Sequence, residues 1–152
     1  GCWRYCSGCC FGRHIILFNG ENVMAFQLGT NSMKNMEGID DRLIDIAELA
    51  ITLSPIDFGV PSSGGFRSTQ DQAELYTSGK SKCDGTTNKS YHQTGKALDV
   101  FAYVDGKASW DTLHLTTIAT AMLQSASQLG IELQWGGLWR SWQDLPHFQI
   151  KD

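Results

Sequence analysis

Residues 90–99 read Ser-Tyr-His-Gln-Thr-Gly-Lys-Ala-Leu-Asp, and they end on an acid inside an otherwise apolar stretch. That stretch, 97–104, is rich in β-formers and predicts a strand. Burying an unpaired carboxylate is costly, so Asp99 needs a cation. Because Gly95 permits the chain to turn, His92 in the preceding loop and Asp99 on the strand can converge on one point.

A third candidate ligand lies near the end of the chain, where residues 144–149 read Asp-Leu-Pro-His-Phe-Gln. His147, on a neighbouring predicted strand, would complete a set of two nitrogens and one oxygen. Three protein ligands with one open position are typical of catalytic zinc, because the open position holds the reacting water. Each residue taken singly also has a structural explanation, and Asp99 could instead pair with Lys96 or Arg67.

The rest of the pattern predicts helices that alternate with short strands. An amphipathic period predicts a helix over 37–53, stopped by Pro55, and a short helix over 69–78 follows it. An exposed loop is predicted over 80–89, and the strand over 97–104 is closed by the hairpin signal Asp105-Gly106. A helix capped by Asp111 and Gly130 comes next, followed by strands at 131–135 and 147–150. The later strands are adjacent and hairpin-like. The expected fold is therefore a single α+β domain, with a small antiparallel sheet and flanking helices.

Composition limits the class of protein. The 152 residues suit one domain and are 41% hydrophobic and 18% charged. The net charge is −4, and the charges are scattered without a basic stripe, so no nucleic-acid partner is expected. The longest aliphatic or aromatic run, Ile15 to Phe18, is far shorter than the ~20 residues of a membrane-spanning helix. No stable membrane insertion is expected.

Four of the five cysteines lie within the first ten residues: Cys2, Cys6, Cys9 and Cys10. This segment could be a disulfide-bridged hairpin active at membrane surfaces, a zinc knuckle completed by His14, or a leader foreign to the functional unit. We expect the third, since residues 1–23 show no helical or strand period and end just before Met24. The catalytic domain is then expected over 24–152. Its single cysteine, Cys83, suits a reduced cytoplasmic enzyme.

The two motifs together resemble a family of zinc peptidases that includes D-Ala-D-Ala carboxypeptidases, vancomycin-resistance dipeptidases and bacteriophage L-alanyl-D-glutamate endolysins. Their signature is Ser-x-His-x6-Asp, followed near the C-terminus by an acid three positions before a histidine. In this chain the matching residues are Ser90, His92, Asp99, Asp144 and His147. The resemblance runs from about residue 66 to 149, and Trp135-Gly136-Gly137 with Trp139 is most similar to the phage endolysin branch.

The resemblance implies a hedgehog/D-Ala-D-Ala peptidase-like fold and a Zn²⁺ cofactor held by His92, Asp99 and His147. It implies that Asp144 is the catalytic acid/base, which takes a proton from the attacking water and delivers it to the leaving amine. It also implies that Arg67 stabilises the developing oxyanion or binds a substrate carboxylate.

These implied roles have structural alternatives. Asp144 could cap a loop beside a proline, and Arg67 could form a surface salt bridge to Asp71 or Glu74. Two further candidates for binding substrate or hydrogen-bonding a ligand are Ser90 and Gln70, and a turn role is the alternative for Ser90.

The implied function is that of an endolysin, a peptidoglycan-degrading zinc metallopeptidase that cleaves the L-Ala–D-Glu bond of the stem peptide. Such an enzyme is expected to be a monomer that accumulates in the host bacterial cytoplasm and reaches the wall once the inner membrane is permeabilised. The competing hypotheses are a D,D-carboxypeptidase or dipeptidase acting on D-Ala-D-Ala, a non-enzymatic zinc-binding module, and a membrane-active peptide within residues 1–23.

Overall fold

The computed structural model describes residues 13–18 and 21–152, with side chains from residue 25 onward. Its elements, in chain order, are β1 (Arg13–Phe18), β2 (Glu21–Phe26), α1 (Thr30–Asn35), α2 (Asp41–Leu53), β3 (Asp57–Gly59), α3 (Thr69–Thr77), a 3₁₀ helix (Tyr91–Thr94), β4 (Ala97–Asp99), β5 (Phe101–Val104), β6 (Lys107–Ser109), α4 (Thr112–Leu129), β7 (Leu133–Trp135), a second 3₁₀ helix (Gly136–Leu138) and β8 (His147–Ile150). The α+β class predicted from the sequence is confirmed.

The strands form small antiparallel sheets. One has the order β3-β5-β6, another has the order β4-β8-β7, and β1 pairs with β2 as a hairpin. Helix α2 packs against α4, and their apolar faces form the core with the inner faces of the sheets. The largest fully buried side chains include Leu43 and Ile46 of α2, Ile118 and Met122 of α4, and Phe148 of β8.

The single strand predicted over 97–104 is wrong in one respect. The chain leaves one sheet after β4 and enters the other as β5. The N–H of Val100 still donates to the carbonyl of Pro146 at 3.0 Å, in the register of β4 and β8, but proline has no N–H to return the bond and the ladder ends there. The split places Asp99 at the end of β4, directly opposite His147 at the start of β8. The predicted hairpin turn after β5 is confirmed, with positive φ at Asp105 (51°) and Gly106 (76°).

The helix predicted over 37–53 begins later than expected, at Asp41. Residues 37–39 lie in a turn with φ of 85° at Gly38, and the carboxylate of Asp40 accepts a hydrogen bond from the N–H of Arg42 as an N-cap. Helix α1 was not predicted. Helix α4 has the predicted caps, Asp111 and Gly130, and residues 80–89 form a loop without helix or strand.

No strand is predicted from the sequence of residues 1–23, whereas the structure forms β1 and pairs it with β2. The predicted boundary between residues 23 and 24 therefore falls inside β2. The cysteine cluster, with the disulfide and zinc-knuckle hypotheses that concern it, lies outside the described residues. That residues 1–23 are foreign to the catalytic unit stays a prediction. Within the described part of the chain, no helix combines the length and the apolar character needed to cross a bilayer.

Candidate active site

Three side chains from separate elements meet at one point. His92 lies in the first 3₁₀ helix, Asp99 ends β4 and His147 begins β8. Asp99 Oδ1 is 3.2 Å from His92 Nε2 and 3.1 Å from His147 Nδ1, and the two ring nitrogens are 3.2 Å apart. One donor atom from each residue lies within 4.8 Å of the others. The predicted convergence of these three residues is therefore present.

Hydrogen bonds on the far side of each ring fix which nitrogen is protonated. His92 Nδ1 lies 2.8 Å from the carbonyl of Gly65, and a carbonyl can only accept. His147 Nε2 lies 2.9 Å from Gln149 Oε1, which is also an acceptor. In its neutral form, each ring therefore carries its proton on the far side and turns a lone pair toward Asp99. Two lone pairs and a carboxylate oxygen in van der Waals contact repel one another unless a cation lies among them, so this donor set fits a metal ion.

Asp99 is ionised despite its burial. Burial alone would raise the pKa of Asp99, but positive charge and hydrogen-bond donation from the adjacent rings of His92 and His147 outweigh burial and hold the pKa well below its ordinary value. A cation bound at the same place would act on this carboxylate in the same direction. Arg67 contributes a further contact, because its Nη2 donates to Asp99 Oδ2 at 2.7 Å. The second carboxylate oxygen is thus held by a guanidinium, and Oδ1 is left to face the two histidines.

Arg67 itself is fixed by several partners. Its Nε donates to the carbonyl of Ser63 at 2.7 Å, its Nη1 lies 3.4 Å from Gln72 Oε1, and its side chain is only 11% exposed. The alternative of a surface salt bridge to Asp71 or Glu74 is not what the structure shows. A guanidinium has five N–H donors, so donors remain for another ligand after these contacts.

Asp144 lies on the loop that leads into β8. Its N–H donates to the carbonyl of Gly136 at 3.0 Å, and its own carbonyl accepts from the N–H of His147 at 3.1 Å. A Cβ on Gly136 would lie 2.4 Å from the carbonyl oxygen of Asp144, so the close approach requires glycine. Burial, followed by the negative charge of Asp99, raises the pKa of the Asp144 carboxyl group. A raised pKa suits a group that both takes and gives a proton near neutral pH.

The three converging residues and Asp144 open into a cleft of about 430 Å³. Two tryptophans, Trp139 and Trp142, are among the residues that line it, and the Trp139 ring centroid lies 5.2 Å from that of His147. Trp135, by contrast, is buried, and its Nε1 donates to the carbonyl of Leu145 at 2.7 Å. Trp135 therefore supports the loop that carries Asp144 and does not line the cleft.

Ser90 and Gln70 have different outcomes. Ser90 lines the cleft, and its Oγ accepts from the N–H of His92 at 3.3 Å while its own N–H donates to Gln93 Oε1. Ser90 thus caps the 3₁₀ helix that presents His92. Gln70 is exposed on α3, where its amide donates to Glu74 at 3.2 Å, and it does not line the cleft. The helical period turns Gln70 outward, and its role in binding substrate stays a prediction.

Sequence reasoning missed three buried or half-buried glutamines. Gln149 accepts a hydrogen bond from His147, and its Nε2 donates to Gln134 Oε1 at 3.1 Å. Gln72 is fully buried on α3 and contacts Arg67. The period of two along β8 could have indicated Gln149, since it shares a face with His147. Gln134 lies opposite Gln149 in the register of β7 and β8, which the sequence alone does not show.

Cys83 is half-buried and lines the cleft. Burial, together with neighbouring Asp84, raises the pKa of its thiol, which leaves it protonated at neutral pH. Of the three histidines beyond residue 23, His114 is the one that lies away from the site, with Nδ1 2.9 Å from Ser109 Oγ.

The fold is a small α+β domain in which two histidines and an aspartate converge in a cleft. A carboxyl group of raised pKa lies beside them. These features are typical of metal-dependent hydrolases. The comparisons with known proteins narrow that class. The family model for phage L-alanyl-D-glutamate peptidases matches residues 24–151, and the chain belongs to this family.

Named relatives agree with the family. The chain is 33% identical over 129 residues to the L-alanyl-D-glutamate peptidase of Escherichia phage T5, which covers 84% of this chain and 91% of that protein. It is 32% identical over 97 residues to the peptidoglycan L-alanyl-D-glutamate endopeptidase CwlK of Bacillus subtilis, covering 57% of each. The crystal structure of the L-Ala D-Glu endopeptidase ChiX of Serratia marcescens superposes with a TM-score of 0.72 at 35% identity, covering 80% of this chain and 87% of that one. These matches confirm the family resemblance and the fold predicted from the sequence.

Proposed function

We propose that this chain is a zinc-dependent peptidase that hydrolyses the L-Ala–D-Glu bond of the peptidoglycan stem peptide. Membership in the L-alanyl-D-glutamate peptidase family supports the reaction and the bond. The convergence of His92 Nε2, Asp99 Oδ1 and His147 Nδ1 supports the metal, and it is the single observation that carries the proposal.

Zinc is the proposed ion because two imidazole nitrogens and one carboxylate oxygen are ligands it commonly takes in catalytic sites, with a further position left for water. When bound, it would lower the pKa of that water and polarise the scissile carbonyl. The far-side hydrogen bonds from His92 to Gly65 and from His147 to Gln149 support this assignment, since they hold both rings in the tautomer that a metal requires.

Asp144 is the proposed general base and acid. Its carboxylate accepts a proton from the attacking water and then delivers that proton to the nitrogen of the leaving D-glutamyl amine. Its raised pKa supports this role because the carboxyl group can hold the proton between the two steps.

Arg67 has two proposed roles. Its bond to Asp99 Oδ2 orients the carboxylate, and its remaining N–H donors stabilise the negative charge that develops on the carbonyl oxygen. Ser90 Oγ accepts a hydrogen bond from the backbone N–H of His92. Because Ser90 acts through His92 in this way, it is a positioning residue.

The proposed setting is that of an endolysin. We propose that the protein acts as a monomer, accumulates in the host bacterial cytoplasm and meets peptidoglycan once the inner membrane is permeabilised. Its proposed partner is the stem peptide, with neither nucleic acid nor an inserted membrane segment involved. The catalytic unit is proposed to be residues 24–152.

The test is a digest of purified peptidoglycan with the zinc-loaded protein, with the products read by mass spectrometry. We expect new amino-terminal glutamate and stems that end in L-Ala. Release of D-Ala from otherwise intact stems would contradict the proposal and favour a D,D-carboxypeptidase. Lysis that persists after chelation and in His92→Ala would instead assign the activity to residues 1–23.

A further inference from the structure

The mouth of the cleft has a charge opposite to that of the whole chain. The protein has a net charge of −4, yet three of its lysines, Lys80, Lys82 and Lys89, lie in the loop between α3 and the first 3₁₀ helix. Lys80 and Lys89 line the cleft together with Arg67. Lys82 reaches across to the opposite wall, with its Nζ 4.6 Å from the ring centroid of Trp142.

Lys80 and Lys89 have no carboxylate partner within residues 25–152, as is also true of Lys34 and Lys107, but unlike those two lysines they line the cleft. Arg42 and Lys96 pair with Asp152, and Arg67 pairs with Asp99. Within residues 25–152, neither Lys80 nor Lys89 forms an ion pair.

The carboxylate nearest to these lysines along the chain is that of Asp84, and backbone groups occupy it. Asp84 Oδ1 accepts from the backbone N–H groups of Thr86, Thr87 and Asn88, at 2.7 to 3.0 Å. These bonds lower the pKa of Asp84 and use its charge to close the turn. Two unpaired ammonium groups at the rim of a cleft therefore favour an anionic ligand.

Buried and half-buried amides hold this loop in place. Gln72 Nε2 donates to Ser81 Oγ at 2.7 Å and to the carbonyl of Cys83 at 2.9 Å, and Gln93 Nε2 donates to the carbonyl of Gly85 at 2.8 Å. The lysines thus project from a fixed wall of the cleft, which reduces the entropy lost when they bind a ligand.

The proposed substrate supplies a matching anion. The glutamate that follows the scissile bond has two carboxyl groups, and the stem peptide continues through only one of them. The other is free, one residue beyond the bond that is cut. Building on the proposed function, we propose that Lys80 and Lys89 bind this free carboxylate and so make the enzyme selective for stems in which it is not amidated.

The test compares two synthetic stem peptides that differ only at this carboxyl group, one with the free acid and one with the amide, which has nearly the same size and no charge. We expect kcat/KM of the zinc-loaded protein to favour the free acid by about five- to tenfold at low salt. The preference should shrink as the ionic strength rises from about 0.05 M to about 0.5 M, because salt screens such pairs.

The variant for this test is Lys80→Gln/Lys89→Gln, and its matched control is Lys34→Gln/Lys107→Gln, which removes the same charge away from the cleft. We expect the preference to fall to about one in the first variant and to persist in the control. Equal cleavage of both peptides by the unmodified protein, or a preference that survives in the first variant, would overturn this assignment. Cleavage of neither peptide would overturn the proposed function itself.

Discussion

At the scale of residues, the site depends on the orientation of two imidazole rings. The sequence predicted which residues converge, because an acid in an apolar strand and a histidine in a motif each need an explanation. It could not predict which ring nitrogen faces the centre, since that depends on the carbonyl of Gly65 and the amide of Gln149. Both acceptors come from backbone approach and strand register, which leave no local signal in the sequence.

The role of Gln149 leads to a prediction about metal affinity. Gln149→Met keeps the volume but removes the acceptor for His147 Nε2, so the ring is free to change tautomer or turn. We expect zinc affinity to fall about 10- to 100-fold, as measured by competition with a chromophoric chelator. Gln149→Glu restores an acceptor at the same place and should retain affinity. Unchanged affinity in Gln149→Met, with an unchanged melting temperature, would show that the ring needs no such partner.

Asp144 leads to a prediction that separates chemistry from metal binding. Asp144→Asn has nearly the same shape but cannot accept the proton of the attacking water. We expect kcat to fall by about 10²- to 10⁴-fold while zinc content stays the same, measured by peptide hydrolysis and elemental analysis on the same sample. If this variant hydrolysed the peptide at the rate of the unmodified protein, the proposed acid/base role would be ruled out.

At the scale of elements, three features were well predicted from the sequence: helix α4, strand β8 and the hairpin that follows β5. Each has a strong cap, turn or periodic signal. It failed where two signals compete. Ile39 fits the apolar period of α2, but Asp40 is a good N-cap and Gly38 adopts a positive φ, so the helix begins at Asp41. The strand over 97–104 looked continuous because both β4 and β5 are apolar. The ladder of β4 and β8 ends at Val100 because its partner Pro146, far away in the chain, has no N–H to donate.

The cap of α2 leads to a prediction about stability. Asp40→Ala removes the acceptor for the N–H of Arg42 and should cost about 1 kcal/mol of unfolding free energy, measured by urea denaturation. Asp45→Ala, an exposed change within the same helix, should cost much less and serves as the control. Equal losses in the two variants would contradict the capping role.

The same carboxylate gives a pH dependence with a definite sign. The side-chain hydrogen bond from Arg42 lowers the pKa of Asp40 from 3.8 to about 2. Because the pKa is lower in the folded state, the ionised carboxylate stabilises the protein at any pH above the ordinary pKa of Asp. This contribution is lost as the pH falls from about 4 to about 2. The difference in stability between the unmodified protein and Asp40→Ala should therefore shrink over that range. A difference that stays constant down to pH 2 would contradict this assignment.

At the scale of the whole molecule, the sheet β4-β8-β7 and the first 3₁₀ helix bring the site together. Residues 92 and 147 are far apart in the sequence, and the pairing of β4 with β8 sets Asp99 opposite His147. Helices α2 and α4 form the apolar layer that supports these strands. The fold class was predictable from the order of elements. The cleft was not, because its walls come from loops whose positions are set by amide hydrogen bonds.

The central claim is that His92, Asp99 and His147 hold one zinc ion on which hydrolysis depends. Its most direct test is the metal content of the purified protein, measured by elemental analysis beside that of His92→Ala after dialysis against limiting zinc. We expect one zinc per chain in the unmodified protein and almost none in the variant, with the variant still folded by circular dichroism. A folded His92→Ala that keeps stoichiometric zinc, or an unmodified protein that binds none, would contradict the account.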